Sequence, residues 1–135
     1  MRFRWLLLLP SFLSVFLFSA VTQAGELASW RFDTNQNRLL FTTQDGGVQP
    51  KAQLIFNPTR VVIDLPGISM KRPTANQQLR GGIREIRVGQ LDNQTTRIVI
   101  ELAPGYTLDP KQVKFRGATA SQWTVDFPQP ERAES

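Results

Sequence analysis

The stretch Thr59-Arg60-Val61-Val62-Ile63-Asp64-Leu65-Pro66-Gly67 returns 37 residues later as Thr96-Arg97-Ile98-Val99-Ile100-Glu101-Leu102-Ala103-Pro104-Gly105. Each copy is a Thr-Arg pair, three β-branched residues, an acid and a leucine, closed by proline and glycine; the second copy inserts Ala103. β-branched side chains are stiff and pack well on a pleated surface, so each copy reads as a strand. Alternate residues share a face, which puts Val61, Ile63 and Leu65, or Ile98, Ile100 and Leu102, on one side. The arginine and the acid fall together on the other. Two copies are too few for a solenoid. They suit two pseudo-symmetric halves that share one core.

Working outward, the same alternation and the same turn chemistry recur. Strands are expected over 27–32, 38–43, 48–56, 60–65, 83–91, 97–102, 106–115 and 123–127. The residues at 33–37 read as a turn, Asn57-Pro58 as another, and Asp45-Gly46-Gly47 as a hairpin signal. Pro50 confines the start of its strand to a sheet edge. The polar stretch 68–82, with Pro73, reads as a connection holding one helical turn near 75–79. No sustained helical period appears after residue 24. The expected fold is all-β, a small sandwich or barrel.

The N-terminus has the form of a secretory signal peptide. Arg2 and Arg4 precede an apolar run over 5–18, broken by Pro10, Ser11 and Ser14, and Thr22-Gln23-Ala24 supplies small residues for cleavage. A membrane span needs roughly 20 predominantly apolar residues, and this run is shorter. The alternative is an uncleaved N-terminal anchor. Cleavage after Ala24 leaves 111 of 135 residues, one small domain over 25–127 and a tail over 128–135 that is disordered or opens a linker. Without Arg2 and Arg4 the 16 basic residues become 14 against 11 acidic, a net charge of +3 instead of +5. That excess is too mild and too dispersed for a nucleic-acid partner.

Three strands in order, Thr59 through Gly67, Ile83-Arg84-Glu85-Ile86-Arg87-Val88-Gly89-Gln90, and Thr95-Thr96-Arg97-Ile98-Val99-Ile100-Glu101-Leu102, together resemble the AMIN domain. The similarity runs over about 27–127. The resemblance implies a β-sandwich with internal pseudo-symmetry, exported to the periplasm. It implies a module that targets peptidoglycan and stands ahead of a zinc-dependent N-acetylmuramoyl-L-alanine amidase domain, or at the front of a pilus secretin. By the same resemblance the chain is either a stand-alone module or the front part of such an amidase.

Chemistry is limited by inventory. The sequence contains no histidine and no cysteine. A zinc site draws its ligands mainly from those residues, and Ser-His-Asp or Cys-His nucleophile systems need them too. Asp64 and Glu101 occupy matching positions in the repeat, so they are the carboxylate pair to weigh for glycosidase chemistry. Each strand opens with an arginine, which favours cross-strand charge pairs with Arg60, Arg97 or a neighbour. The sequence therefore reads as non-catalytic, with no cofactor or metal.

Candidate binding residues are Arg60, Asp64, Arg84, Arg87, Gln90, Thr96 and Arg97. Arg87, Gln90, Thr96 and Arg97 are expected as a polar patch on adjacent antiparallel strands joined at Asp92-Asn93. Guanidinium suits stem-peptide carboxylates, which it meets with two parallel hydrogen bonds; the alternative is a solvated face of ordinary ion pairs. Arg84 shares parity with apolar Ile86, so either it begins the strand or the alternation shifts there. Trp30, Trp123 and Tyr106 are sugar-stacking candidates or, as is commoner for Trp on an alternating strand, core.

Overall fold

The computed structural model describes residues 25–133, so the export segment expected over 1–24 lies outside the described residues. Twelve strands follow in order: β1 (Gly25–Asp33), β2 (Arg38–Gln44), β3 (Lys51–Ile55), β4 (Arg60–Pro66), β5 (Ile68–Ser69), β6 (Ala75–Gln78), β7 (Ile83–Asp92), β8 (Thr95–Leu102), β9 (Tyr106–Thr107), β10 (Lys114–Thr119), β11 (Gln122–Asp126) and β12 (Glu131–Arg132). One five-stranded sheet has the order β10-β11-β2-β1-β5, the other β3-β4-β8-β7-β6, and β9 pairs with β12. The two large sheets enclose a single apolar cluster. The fold is an all-β sandwich.

Alternation explains the core. Leu39, Phe41 and Val125 come from the first sheet, and Ile63, Ile86, Ile98 and Ile100 from the second, all essentially buried. Each such side chain contributes about 1.5–3 kcal/mol relative to exposure. Trp30 and Trp123 are partly buried and pack against this cluster, and both also line an open pocket of about 350 Å3 with Phe41. The Trp123 ring lies nearly parallel to Phe41, centroids 6.5 Å apart, and its Nε1 donates to the Ala120 carbonyl at 3.0 Å.

The repeat is realised inside one sheet. Its two copies are β4 and β8, direct antiparallel neighbours, with Val62 opposite Val99, Arg60 opposite Glu101 and Asp64 opposite Arg97. That register is a local two-fold relation about the Val62–Val99 pair. Each copy is the second strand of a hairpin, β3-β4 or β7-β8, and the hairpins join through those second strands. The first sheet repeats the device, joining β1-β2 to β10-β11 through β2 and β11.

Three expectations need correction. Asp45-Gly46-Gly47 does not close a hairpin, because β2 and β3 lie in different sheets. The segment carries the chain between sheets, and a Cβ on Gly47 would stand 2.5 Å from the Ala120 Cβ; Val48 N–H donates to the Ala120 carbonyl at 2.9 Å. Glycine is needed there for close approach.

The helical turn expected near 75–79 is instead the edge strand β6, since the exposed backbone of β7 offers it a ladder. The connection 68–82 thus contributes one edge strand to each sheet, β5 beside β1 and β6 beside β7. The strand expected over 106–115 is broken by a 3-10 turn at Pro110–Gln112, where Asp109 Oδ1 accepts from Lys111 N–H at 2.9 Å. The tail is not wholly free. Glu131 and Arg132 pair with Thr107 and Tyr106, and Pro130 is buried. Among the described residues no helix is long and apolar enough to cross a membrane.

Candidate functional site

The outer face of the second sheet carries the charged half of the repeat. With core-facing residues fixed by alternation, β4 turns Arg60, Val62 and Asp64 outward, and β8 turns Arg97, Val99 and Glu101 outward. β7 adds Glu85 and Arg87 opposite Glu101 and Val99. Val62 and Val99 separate two groups of charges.

On one side of that divide, Arg97 grips Asp64 with both ends of its fork, Nε to Oδ1 at 2.7 Å and Nη2 to Oδ2 at 3.0 Å. The Asp64 carboxylate holds the Arg97 guanidinium above its ordinary range. On the other side, Arg87 Nη1 donates to Glu101 Oε1 at 2.9 Å and to Glu85 Oε1 at 3.0 Å. Its pKa is raised, first by the bond to Glu101. Glu101 is buried, an uncommon place for a carboxylate, and these guanidinium contacts compensate its desolvation. The charge pairs expected for Asp64 and Glu101 are therefore present, but Arg60 is not a partner in either. Its Nη1 donates to the Pro58 carbonyl at 2.7 Å.

Arg84 settles its own parity. The register shifts between Ile83 and Glu85, so Arg84 is the extra residue of a β-bulge. The bulge leaves its side chain about half exposed, with Nη1 3.7 Å from Glu101 Oε2.

The expected patch is only partly assembled. Arg60, Asp64, Arg84, Arg87 and Arg97 share this face, whereas Thr96 and Gln90 do not. Thr96 is fully buried, opposite Leu65, and its Oγ1 donates to the Ile68 carbonyl at 2.8 Å. Gln90 clamps the connection: its Oε1 accepts from Met70 N–H at 2.7 Å, while Nε2 donates to the Asp92 carbonyl. Polarity alone suggests the outer face for both, but alternation puts Thr96 on the side of Ile98 and Ile100, and Gln90 on that of Ile86 and Val88 toward the end of β7. Glu85 was absent from the candidate set, although its spacing of two from Arg87 signals a shared face.

The Trp and Tyr candidates lie elsewhere. Trp30 and Trp123 belong to the first sheet, and Tyr106 lies on β9 with the Arg132 guanidinium 5.5 Å from its ring centroid. Among the described residues no group of three or more carboxylates, histidines or cysteines could hold a metal ion.

Residues 26–127 match the family model of the AMIN domain. The chain belongs to the AMIN domain family. AMIN domains are non-catalytic modules of the cell envelope, associated with peptidoglycan in amidases and secretins. No curated protein and no solved structure matches the chain significantly.

Proposed function

We propose that this chain is exported through a cleaved signal peptide to the periplasm, where it binds peptidoglycan and localises cell-wall amidase activity without catalysing a reaction itself. The observation that carries this reading is an AMIN sandwich whose outer β4-β8-β7 face presents four arginines against three carboxylates. That excess of one cation, in a planar hydrogen-bonding form, suits the carboxylates of wall stem peptides. The mild overall charge of the exported chain adds a weak, salt-sensitive attraction to an anionic polymer.

Co-sedimentation with purified sacculi tests the proposal. The folded chain is expected in the pellet at low salt, with less retained for the double variant Arg87→Ala, Arg97→Ala. If the folded wild type stays in the supernatant at low salt, the proposal fails.

A second reading is a protein-interaction module in a pilus secretin assembly. It is favoured by β3, which pairs with β4 on one side only among the described residues and runs into exposed Phe56. Under that reading crosslinking captures an outer-membrane protein and no glycan.

A further inference from the structure

At one end of the second sheet, the turns before β4 and after β8 enclose a cavity of about 250 Å3 lined by Pro58, Thr59, Arg84, Ala103, Pro104 and Tyr106. The repeat brings these turns together: the opening of its first copy meets the closing Ala-Pro-Gly of its second. At the other end, related by the local two-fold, the corresponding space is occupied by the chain itself. There Thr96, the counterpart of Thr59, donates to the Ile68 carbonyl, and Gly67 N–H donates to the Gln94 carbonyl at 2.7 Å. One end is filled and its counterpart is open.

We propose that the open end is a pocket for the terminal carboxylate of a short peptide bearing small apolar side chains. The proposal rests on the peptidoglycan reading above and names the part of the polymer that this corner would take.

Three features carry it. First, the Arg84 guanidinium makes no hydrogen bond among the described residues, unlike Arg60, Arg87 and Arg97. Its only ion pair among the described residues is the 3.7 Å approach to Glu101, whose other oxygen Arg87 already holds at 2.9 Å. Second, the bulge at Arg84 aims that side chain at the turn end, as bulges do beside binding sites. Third, the remaining chemistry is donor hydroxyls on apolar walls. Neither the Thr59 nor the Tyr106 hydroxyl has a hydrogen-bond partner among the described residues, and Leu102, Ala103 and the two prolines supply apolar surface.

A single guanidinium with two hydroxyls matches a monovalent carboxylate. The volume lies below the roughly 300–1,000 Å3 of pockets that hold larger ligands, so it suits one or two small residues better than a sugar chain.

The test compares N-acetyl-Lys-D-Ala-D-Ala with its C-terminal amide, titrated by NMR into the protein in the form that the cell accumulates. Sacculus sedimentation is run in parallel. Amide shifts are expected at Arg84, Ala103, Gly105 and Tyr106 with the acid, and at least ten-fold weaker binding with the peptide amide. Arg84→Ala should lose at least ten-fold in affinity for the acid, and Arg84→Lys should recover only part, since an ammonium lacks the planar fork. Equal response to acid and amide, or an unaffected Arg84→Ala, overturns the pocket. If sacculi are retained while the peptide is ignored, the pocket falls and the wall-binding reading stands. If the peptide binds through Arg84 but sacculi are not retained, the carboxylate pocket stands and the wall-binding reading falls.

Discussion

Arg97 and Asp64 face each other across β8 and β4 in a bidentate ion pair, while their repeat counterparts Arg60 and Glu101, also register partners, do not bond to each other. The sequence repeat is symmetric at these four positions; the contacts are not. Arg87 breaks the symmetry by taking Glu101 from the next strand, and Arg60 turns back to the Pro58 carbonyl.

Double-mutant cycles should report that asymmetry. The Arg97→Ala, Asp64→Ala cycle is expected to give a coupling of about 1 kcal/mol, as a half-buried bidentate pair does. The Arg60→Ala, Glu101→Ala cycle should give about zero, within roughly 0.3 kcal/mol. Urea unfolding of the six variants and the wild type measures both. Equal couplings would mean that both register pairs are bonded alike.

Thr96 is expected to matter for stability and not for ligand contact. Replacing it by valine keeps shape but removes the donor to the Ile68 carbonyl in a fully buried site. The loss should be about 1–2 kcal/mol, the cost of leaving one buried carbonyl unmet. Retention on sacculi, measured well below the unfolding midpoint, should match the wild type. Reduced retention of the folded Thr96→Val protein would contradict its placement away from the face.

The strands of the core were legible because alternation is a strong local signal: Val61, Ile63 and Leu65 face inward as their spacing requires. What the spacing could not show was which sheet each strand joins. Asp45-Gly46-Gly47 has the composition of a hairpin, yet the same glycines serve a sheet-to-sheet crossing pressed against Ala120, a contact between residues far apart in sequence. The candidate face was legible in its arginines and acids, since each occupies an outward position of an alternating strand. At Gln90 and Thr96 the rule that polar residues face water fails: Gln90 keeps the parity of inward Ile86 and Val88, Thr96 that of Ile98 and Ile100, and each side chain meets a backbone partner. β6 was missed because its polar sequence has no apolar face to bury; it is a strand through ladder bonds to β7.

The crossing gives a stability prediction of its own. Gly47→Ala places a Cβ 2.5 Å from the Ala120 Cβ and 3.0 Å from its carbonyl oxygen, a contact that forces backbone to move. Overpacking of this kind costs about 1–3 kcal/mol. Adding Ala120→Gly removes the nearer of those atoms and should recover part of the loss, while the carbonyl keeps the rest. Thermal unfolding of the single and double variants measures it; an unchanged Gly47→Ala midpoint would show that the crossing is slack.

On the first sheet Asp126 lies between Arg38, whose Nε reaches Oδ1 at 2.6 Å, and Arg116, whose Nη2 reaches Oδ2 at 2.6 Å. The bond from Arg38 foremost, with the charge of Arg116, holds the Asp126 carboxyl below its ordinary value of 3.8. A carboxyl whose pKa is lower in the folded chain than in the unfolded one stabilises the fold at pH above the unfolded value. That contribution shrinks as pH falls through 3.8 and disappears below the folded value. Asp126→Asn cannot titrate, so it should lower the unfolding midpoint near neutral pH. The gap to the wild type should narrow as the pH drops from about 5 toward 3, and added salt should narrow it further at neutral pH. Calorimetric midpoints across that range check both. A gap that stays constant with pH would show that Arg38 and Arg116 leave the Asp126 titration where the unfolded chain has it.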